Sequence, residues 1–139
     1  MAKNTEQYRK AVGGILIENN KILLLYHNKF VKWVIPVGKV DVGEDIDTAI
    51  KREFFEEVGA TIQTYSTVFT GVVDSNVEIN EKVDFTVFQI HTYSSYIFNK
   101  EPHKHKHLQF MSRHELHLLE GIGMVDDLTL HLLDLISFT

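Results

Sequence analysis

GKVDVGEDIDTAIKREFFEEVGA, residues Gly38 to Ala60, carries two stripes side by side. Ile50, Phe54 and Val58 recur every fourth residue, which predicts a helix over Asp47 to Val58 that packs an apolar face on a sheet. At about 100° per residue, Glu53, Glu56 and Glu57 fall within one neighbouring arc of roughly 100°. Like charges at such spacing repel by a few tenths of a kcal/mol per pair in an isolated helix. Glu56 and Glu57 also stand in the last turn before Gly59, a helix stop, where the macrodipole disfavours negative charge. Stability alone does not select this arrangement.

A hard divalent cation resolves the conflict. Clustered carboxylate oxygens suit Mg²⁺ or Mn²⁺, with the remaining coordination positions open to water and substrate phosphates. Arg52, four residues before Glu56, is placed to hold that carboxylate from the side, and small Ala49 leaves room one turn before Glu53. An isolated E-x-x-E-E is more often a solvated acidic helix end. Here Gly38, Glu44, Arg52 and Gly59 stand in register with it.

The pattern is G, five residues, E, seven residues, R-E, an apolar residue, any residue, E-E, any residue, G and an apolar residue. It resembles the Nudix box without a gap. The resemblance implies an α/β fold, an α/β/α sandwich with a mixed sheet, over nearly the whole chain. It implies Mg-dependent hydrolysis (Mn as the alternative ion), with Glu53, Glu56, Glu57 and the Gly38 carbonyl as metal ligands and Arg52 and Glu44 supporting them. Gly38 and Lys39 are also expected at the substrate. Val37 is a departure, since a second glycine often precedes the box.

Substrate choice rests on weaker markers. ADP-ribose hydrolases tend to carry a proline some fifteen residues after the box, and no proline lies between Pro36 and Pro102. Dinucleoside polyphosphate hydrolases tend to carry a tyrosine near the same distance, where this chain has Asn76. Asn99 to Lys104, NKEPHK, is similar to an N-x-E-P-x-K segment of nucleoside triphosphate pyrophosphohydrolases in the family. That similarity assigns Glu101 and Lys104 to substrate binding. The expected reaction converts a nucleoside triphosphate to a monophosphate and pyrophosphate. Glu53, Glu78, Glu81 and Glu101 all stay open as the general base. The alternatives are a dinucleoside polyphosphate or RNA 5′-end pyrophosphohydrolase, and a non-catalytic nucleotide-binding module, which would usually have lost box carboxylates.

Composition bounds these readings. A chain of 139 residues supports one core, so residues 1–139 are expected to form a single domain. At 44% hydrophobic and 24% charged residues it is of globular type. No apolar run reaches membrane length, and Met1 to Arg9 lacks a signal-peptide core, which predicts a cytoplasmic protein. The absence of cysteine excludes disulfide scaffolds, thiolate metal sites and cysteine nucleophiles. A formal charge of −5 opposes extended nucleic-acid binding but not a small nucleotide.

Lys10 to Ile17 and Lys21 to Tyr26 read as a hairpin, Trp33 to Pro36 as a short strand ending in a turn, and Val37 to Gly43 as the loop into the helix. Thr61 to Val73 and Val83 to Tyr93 are β-branched and aromatic strands. Ser112 to Glu120 opens on a capping-box pattern, and Val125 to Ile136 has leucines at helical spacing. Helices are therefore expected on both faces of a mixed sheet. His103, His105 and His107 alternate and would share one face of a strand, more often a solvated edge than a metal site. Phe30 and Trp33 are candidates to stack on a base, Trp33 being more at home in the core. Gly13-Gly14 lacks the following helix of a phosphate loop and reads as a bulge or a close approach of strands.

Overall fold

A computed structural model of the chain describes residues 8–74, 81–136 and 138. The strands are β1 (Arg9–Glu18), β2 (Lys21–His27), β3 (Lys32–Val34), β4 (Val37–Lys39), β5 (Thr61–Asp74), β6 (Lys82–Ser94) and β7 (His105–Ser112). The helices are α1 (Ile46–Val58), α2 (Arg113–Glu120) and α3 (Asp127–Leu135). The expected elements form, with β4 as a correction. Val37 to Lys39 is not loop but pairs antiparallel with β1, Val12 opposite Gly38. A three-residue strand is too short to show a period, so its pairing depends on the partner.

Strand β1 organises the sheet. It runs parallel to β6 from Arg9 to Leu16, while its other edge serves β4 first and then β2 at Ile17 and Glu18. The sheet is thus mixed, in the order β3-β2-β1-β6-β5, with β4 on β1 and β7 on β2. Where β1 changes partner, Gly14 N–H donates to the Pro36 carbonyl at 3.0 Å.

Alternation along the strands loads both faces. On one face, Val12, Leu16, Leu23, Leu25, Phe88 and Ile90 pack with Ile50, Phe54 and Val58 of α1. On the other, Ile15, Ile22, Leu24, Phe85 and Val87 pack with Leu116 of α2 and Leu132 and Leu133 of α3. The layers are α1, sheet, then α2 with α3. Gly13 and Gly14 mark a close approach: a Cβ would lie 3.0 Å from Ile35 and Phe85 at Gly13, and 2.9 Å from the Phe54 ring at Gly14. Ala49 is fully buried in the α1 core, so its small size lets the helix approach the sheet rather than leaving room over the acidic face.

Side-chain caps fix the helix starts. Asp45 Oδ1 accepts from Thr48 N–H at 2.7 Å, Ser112 and Glu115 form the expected capping box, and Asp126 accepts from Thr129 N–H at 3.2 Å. Each such cap is worth about 1 kcal/mol. Trp33 sits in the core and its N–H and carbonyl bond Met124 and Asp126, which ties β3 to the approach of α3. Phe54, 1% exposed, is the largest side chain joining α1 to the sheet. Phe54→Ala should lower unfolding free energy by about 3–5 kcal/mol in urea titration. A loss near zero would show that α1 does not depend on this contact.

Candidate active site

Arg52 is the hub of the acidic cluster. Its Nε and Nη2 donate to Glu44 Oε2 and Oε1 at 2.7 and 2.8 Å, a bidentate pair. Nη1 reaches Glu53 Oε1 at 3.0 Å and Glu56 Oε2 at 3.2 Å, and Nη2 donates to the Lys39 carbonyl at 3.0 Å. The bond to Arg52 and a second from Asp41 N–H hold the Glu44 carboxyl down at about 2. Arg52 is itself raised, chiefly by Glu44.

Gly38 explains its own identity. A Cβ there would lie 2.0 Å from the Glu53 carboxyl carbon, so only glycine lets this carboxyl lie against β4. Glu53 and Glu57 are 9% and 2% exposed, whereas the Glu56 side chain is 49% exposed. Helix spacing put the three acids in one arc, and the sheet edge divides them into two buried and one open. Burial raises the Glu53 carboxyl against the opposing pull of Arg52. It raises Glu57 well above the ordinary carboxylate range, with the negative charges of Glu53 and Glu101 adding to the effect.

The segment after β6 completes the cluster. Phe98 N–H and Lys100 N–H donate to the Val58 and Glu57 carbonyls at 3.0 and 3.1 Å, closing the exposed end of α1. Gly59, at φ +79°, ends the helix with the Phe98 ring against it. Glu101 thereby stands near Glu57, with Lys104 Nζ 3.7 Å from Glu101 Oε2. Glu57 Oε2 and Glu101 Oε1 are both buried without a hydrogen-bond partner. Among the described residues no three acidic or histidine side chains form a ready metal cage, because Glu53 and Glu56 are turned onto Arg52.

A cleft of about 640 Å³ opens beside this cluster. Gly38, Lys39 and Glu53 lie at one part of its wall, His27 to Phe30 with Lys104 at another, and Asp126, Leu128 and Thr129 at the head of α3 close a third. Arg9 and Lys10 of β1 add positive charge that was not anticipated from sequence. No local signal marks them, since the pairing of β1 with β4 and β6 is what brings them there. The D-x-x-T pattern at Asp126 signals a helix cap but not a cleft wall.

Other expectations divide. Glu81 pairs with Arg9 at 2.8 Å, and Glu78 and Asn76 lie outside the described residues. The histidine alternation does not survive as one face. A register shift between Tyr26 and His27 leaves His107 by Trp33 and Tyr26, while His105 is buried against His27. Burial first, then His27 and Lys104, holds the His105 ring down at about 4. It is a core histidine, a correction to the solvated-edge reading at this position, while His103 and His107 are exposed.

A model of the NUDIX domain family matches residues 7–132. The chain belongs to the Nudix family. Its fold is similar to a MutT NUDIX hydrolase of Burkholderia pseudomallei, with TM-score 0.82 and 22% identity over 94% of this chain and 99% of that one. It is also similar to the NUDIX domain of Shewanella oneidensis NrtR complexed with ADP ribose, with TM-score 0.71 and 13% identity over 92% and 85%. At such identities the likeness is one of fold. In sequence, 56 residues are 43% identical to an RNA pyrophosphohydrolase of Actinobacillus pleuropneumoniae, covering 39% of this chain and 27% of that protein. The match thus spans about a quarter of the curated relative's length. Among the described residues no helix is long and apolar enough to cross a membrane.

The raised Glu57 carboxyl has a pH signature. The unfolded chain releases this proton near the ordinary value of 4.5, and the folded chain only at higher pH. The contribution is therefore fully present below 4.5 and is lost as pH rises toward the folded value. Glu57→Gln should flatten that decline and leave the metal-free Nudix domain at least as stable at neutral pH. Urea titrations across pH check this. A large loss of stability in the variant at neutral pH would assign the carboxylate a structural bond instead.

Proposed function

We propose that this Nudix protein, one domain over residues 1–139 and cytoplasmic, is a Mg-dependent pyrophosphohydrolase. It hydrolyses a nucleoside triphosphate to the monophosphate and pyrophosphate. The observation that carries the reading is the pair of buried, unpartnered oxygens, Glu57 Oε2 and Glu101 Oε1, beside Glu53 and a cleft lined by basic side chains. Burying carboxylate oxygen without a partner costs several kcal/mol unless something else binds it.

The residues fit a hard divalent cation. Glu53, Glu56 and Glu57 would hold it, with the Gly38 carbonyl as a further candidate ligand, and Mn²⁺ would serve in place of Mg²⁺. When bound, such an ion lowers the pKa of water and offsets charge on phosphate oxygens. Arg52, anchored on Glu44, bonds one oxygen of Glu53 and one of Glu56, and turning those carboxylates off Arg52 would complete the acidic face around the ion. Lys39 and Lys104, with Lys10, present positive charge to the polyphosphate from the cleft wall. Glu101, buried beside Glu57, is the leading candidate to take the proton of the attacking water, with Glu53 as the other.

A second reading, an RNA 5′-end pyrophosphohydrolase, draws on the local likeness to the RNA pyrophosphohydrolase. The net charge of −5 weighs against contacts to a long RNA. A panel of nucleoside triphosphates, dinucleoside polyphosphates and 5′-triphosphorylated RNA, scored for released pyrophosphate and orthophosphate, separates the readings.

Hydrolysis should stop in excess EDTA and return with Mg²⁺ or Mn²⁺. Glu56→Gln and Glu57→Gln should each lower kcat by several orders of magnitude while the proteins stay folded. Lys104→Ala should raise KM, whereas Glu101→Gln should lower kcat. Full activity in EDTA, or near-normal turnover in both box variants, would place the chemistry elsewhere.

A further inference from the structure

The turn between β2 and β3 holds an aromatic pair that the hydrolytic site does not use. The rings of His27 and Phe30 are stacked, with centroids 3.8 Å apart and planes within 11°. Both line the same cleft as Gly38, Glu53 and Lys104. The other phenylalanine on the cleft wall, Phe85, is 7% exposed and packed against Gly13, so its ring belongs to the core. Phe30 is only partly buried.

Backbone hydrogen bonds hold the turn against the His27 ring. Lys29 N–H and Phe30 N–H donate to His27 Nδ1 at 3.1 and 3.3 Å, which places the ring proton on Nε2. Burial, with Lys104 and Lys29 adding to it, lowers the His27 ring below its ordinary value. Val31, a β-branched residue at φ +57°, closes the turn in a strained conformation of the kind that collects at binding sites. The turn is also tied to the loop that carries Lys104. Asn28 N–H donates to the Lys104 carbonyl at 2.9 Å and its Nδ2 to the His103 carbonyl at 3.0 Å. A ligand lying on Phe30 is thereby indexed to Lys104 and, through it, to Glu101.

We propose that Phe30, backed by His27, is the surface on which the base of the nucleotide stacks. This rests on the nucleotide reading above and makes the substrate one with an aromatic base, rather than any polyphosphate. Stacking uses the π-face that every base has, so this surface contributes affinity, with little discrimination among bases. An aromatic ring already fixed in place loses little entropy when the base arrives.

The test uses the full chain with Mg²⁺ and two probes in calorimetry: the α,β-methylene analogue of the best nucleoside triphosphate in the panel, and inorganic tripolyphosphate. Phe30→Leu keeps apolar bulk on His27 but removes the ring face. It should weaken the nucleotide analogue about tenfold or more, the scale of one base–aromatic stack. Tripolyphosphate affinity should stay where it was, and Phe30→Trp should restore nucleotide binding. In kinetics the loss should fall on KM rather than kcat. If Phe30→Leu binds the nucleotide analogue as the parent does, or loses both probes in parallel, Phe30 is not the stacking surface. A parent protein that hydrolyses no nucleoside triphosphate would instead remove the substrate reading itself.

Discussion

Two carboxylates four residues apart, Glu53 and Glu57, are buried at the edge of a sheet, and the surrounding structure is arranged around that constraint. In an apolar setting each would favour its protonated form, and burial pushes both carboxyls upward. Arg52 limits the problem on one side by bonding Glu53 while it is anchored to Glu44. Glu44 in turn accepts from Asp41 N–H, so the loop entering α1 is fastened to the same network. Gly38 gives Glu53 the space that any side chain would fill. Nothing comparable relieves Glu57 Oε2, which is buried without a hydrogen-bond partner.

The far end of α1 joins stability to placement. A helix leaves its last carbonyls unsatisfied, and here Phe98 and Lys100 satisfy two of them through their backbone N–H groups. Lys100 Nζ also lies 3.8 Å from the centroid of the Phe55 ring, adding a cation–π contact to the same closure. Asn99 Nδ2 donates to the His105 carbonyl at 2.7 Å, fastening the segment to the start of β7. The result sets Glu101 beside Glu57 by the bonds that finish the helix. Loops that carry functional groups are usually the mobile part of a domain. This one is held at both ends.

Charge is distributed unevenly in a way the net value hides. The chain is acidic overall, yet its cleft gathers Arg9, Lys10, Lys29, Lys39 and Lys104. Asp41, Glu53, Asp74 and Asp126 line the same cleft and Arg9 pairs with Glu81, so its wall carries both signs. Of the acidic side chains of α1, Glu53 lines this cleft.

Much of this was legible in the chain. The four-residue spacing of Ile50, Phe54 and Val58, strand alternation and the caps at Ser112 and Gly59 are local signals, because a helix or strand imposes its period on neighbours in sequence. The residues of the acidic cluster were legible too, since a helix places Glu53, Glu56 and Glu57 by spacing alone. Tertiary structure decided what spacing cannot carry. It turned Val37 to Lys39 into a strand on β1, buried Glu57 while leaving Glu56 open, and brought Glu101 from some forty residues away to the end of α1. It also buried His105, split the histidine alternation at a register shift, and set Phe30 flat on His27 within the cleft. Pairing partners, burial and ring contacts depend on segments distant in sequence, so no local period records them.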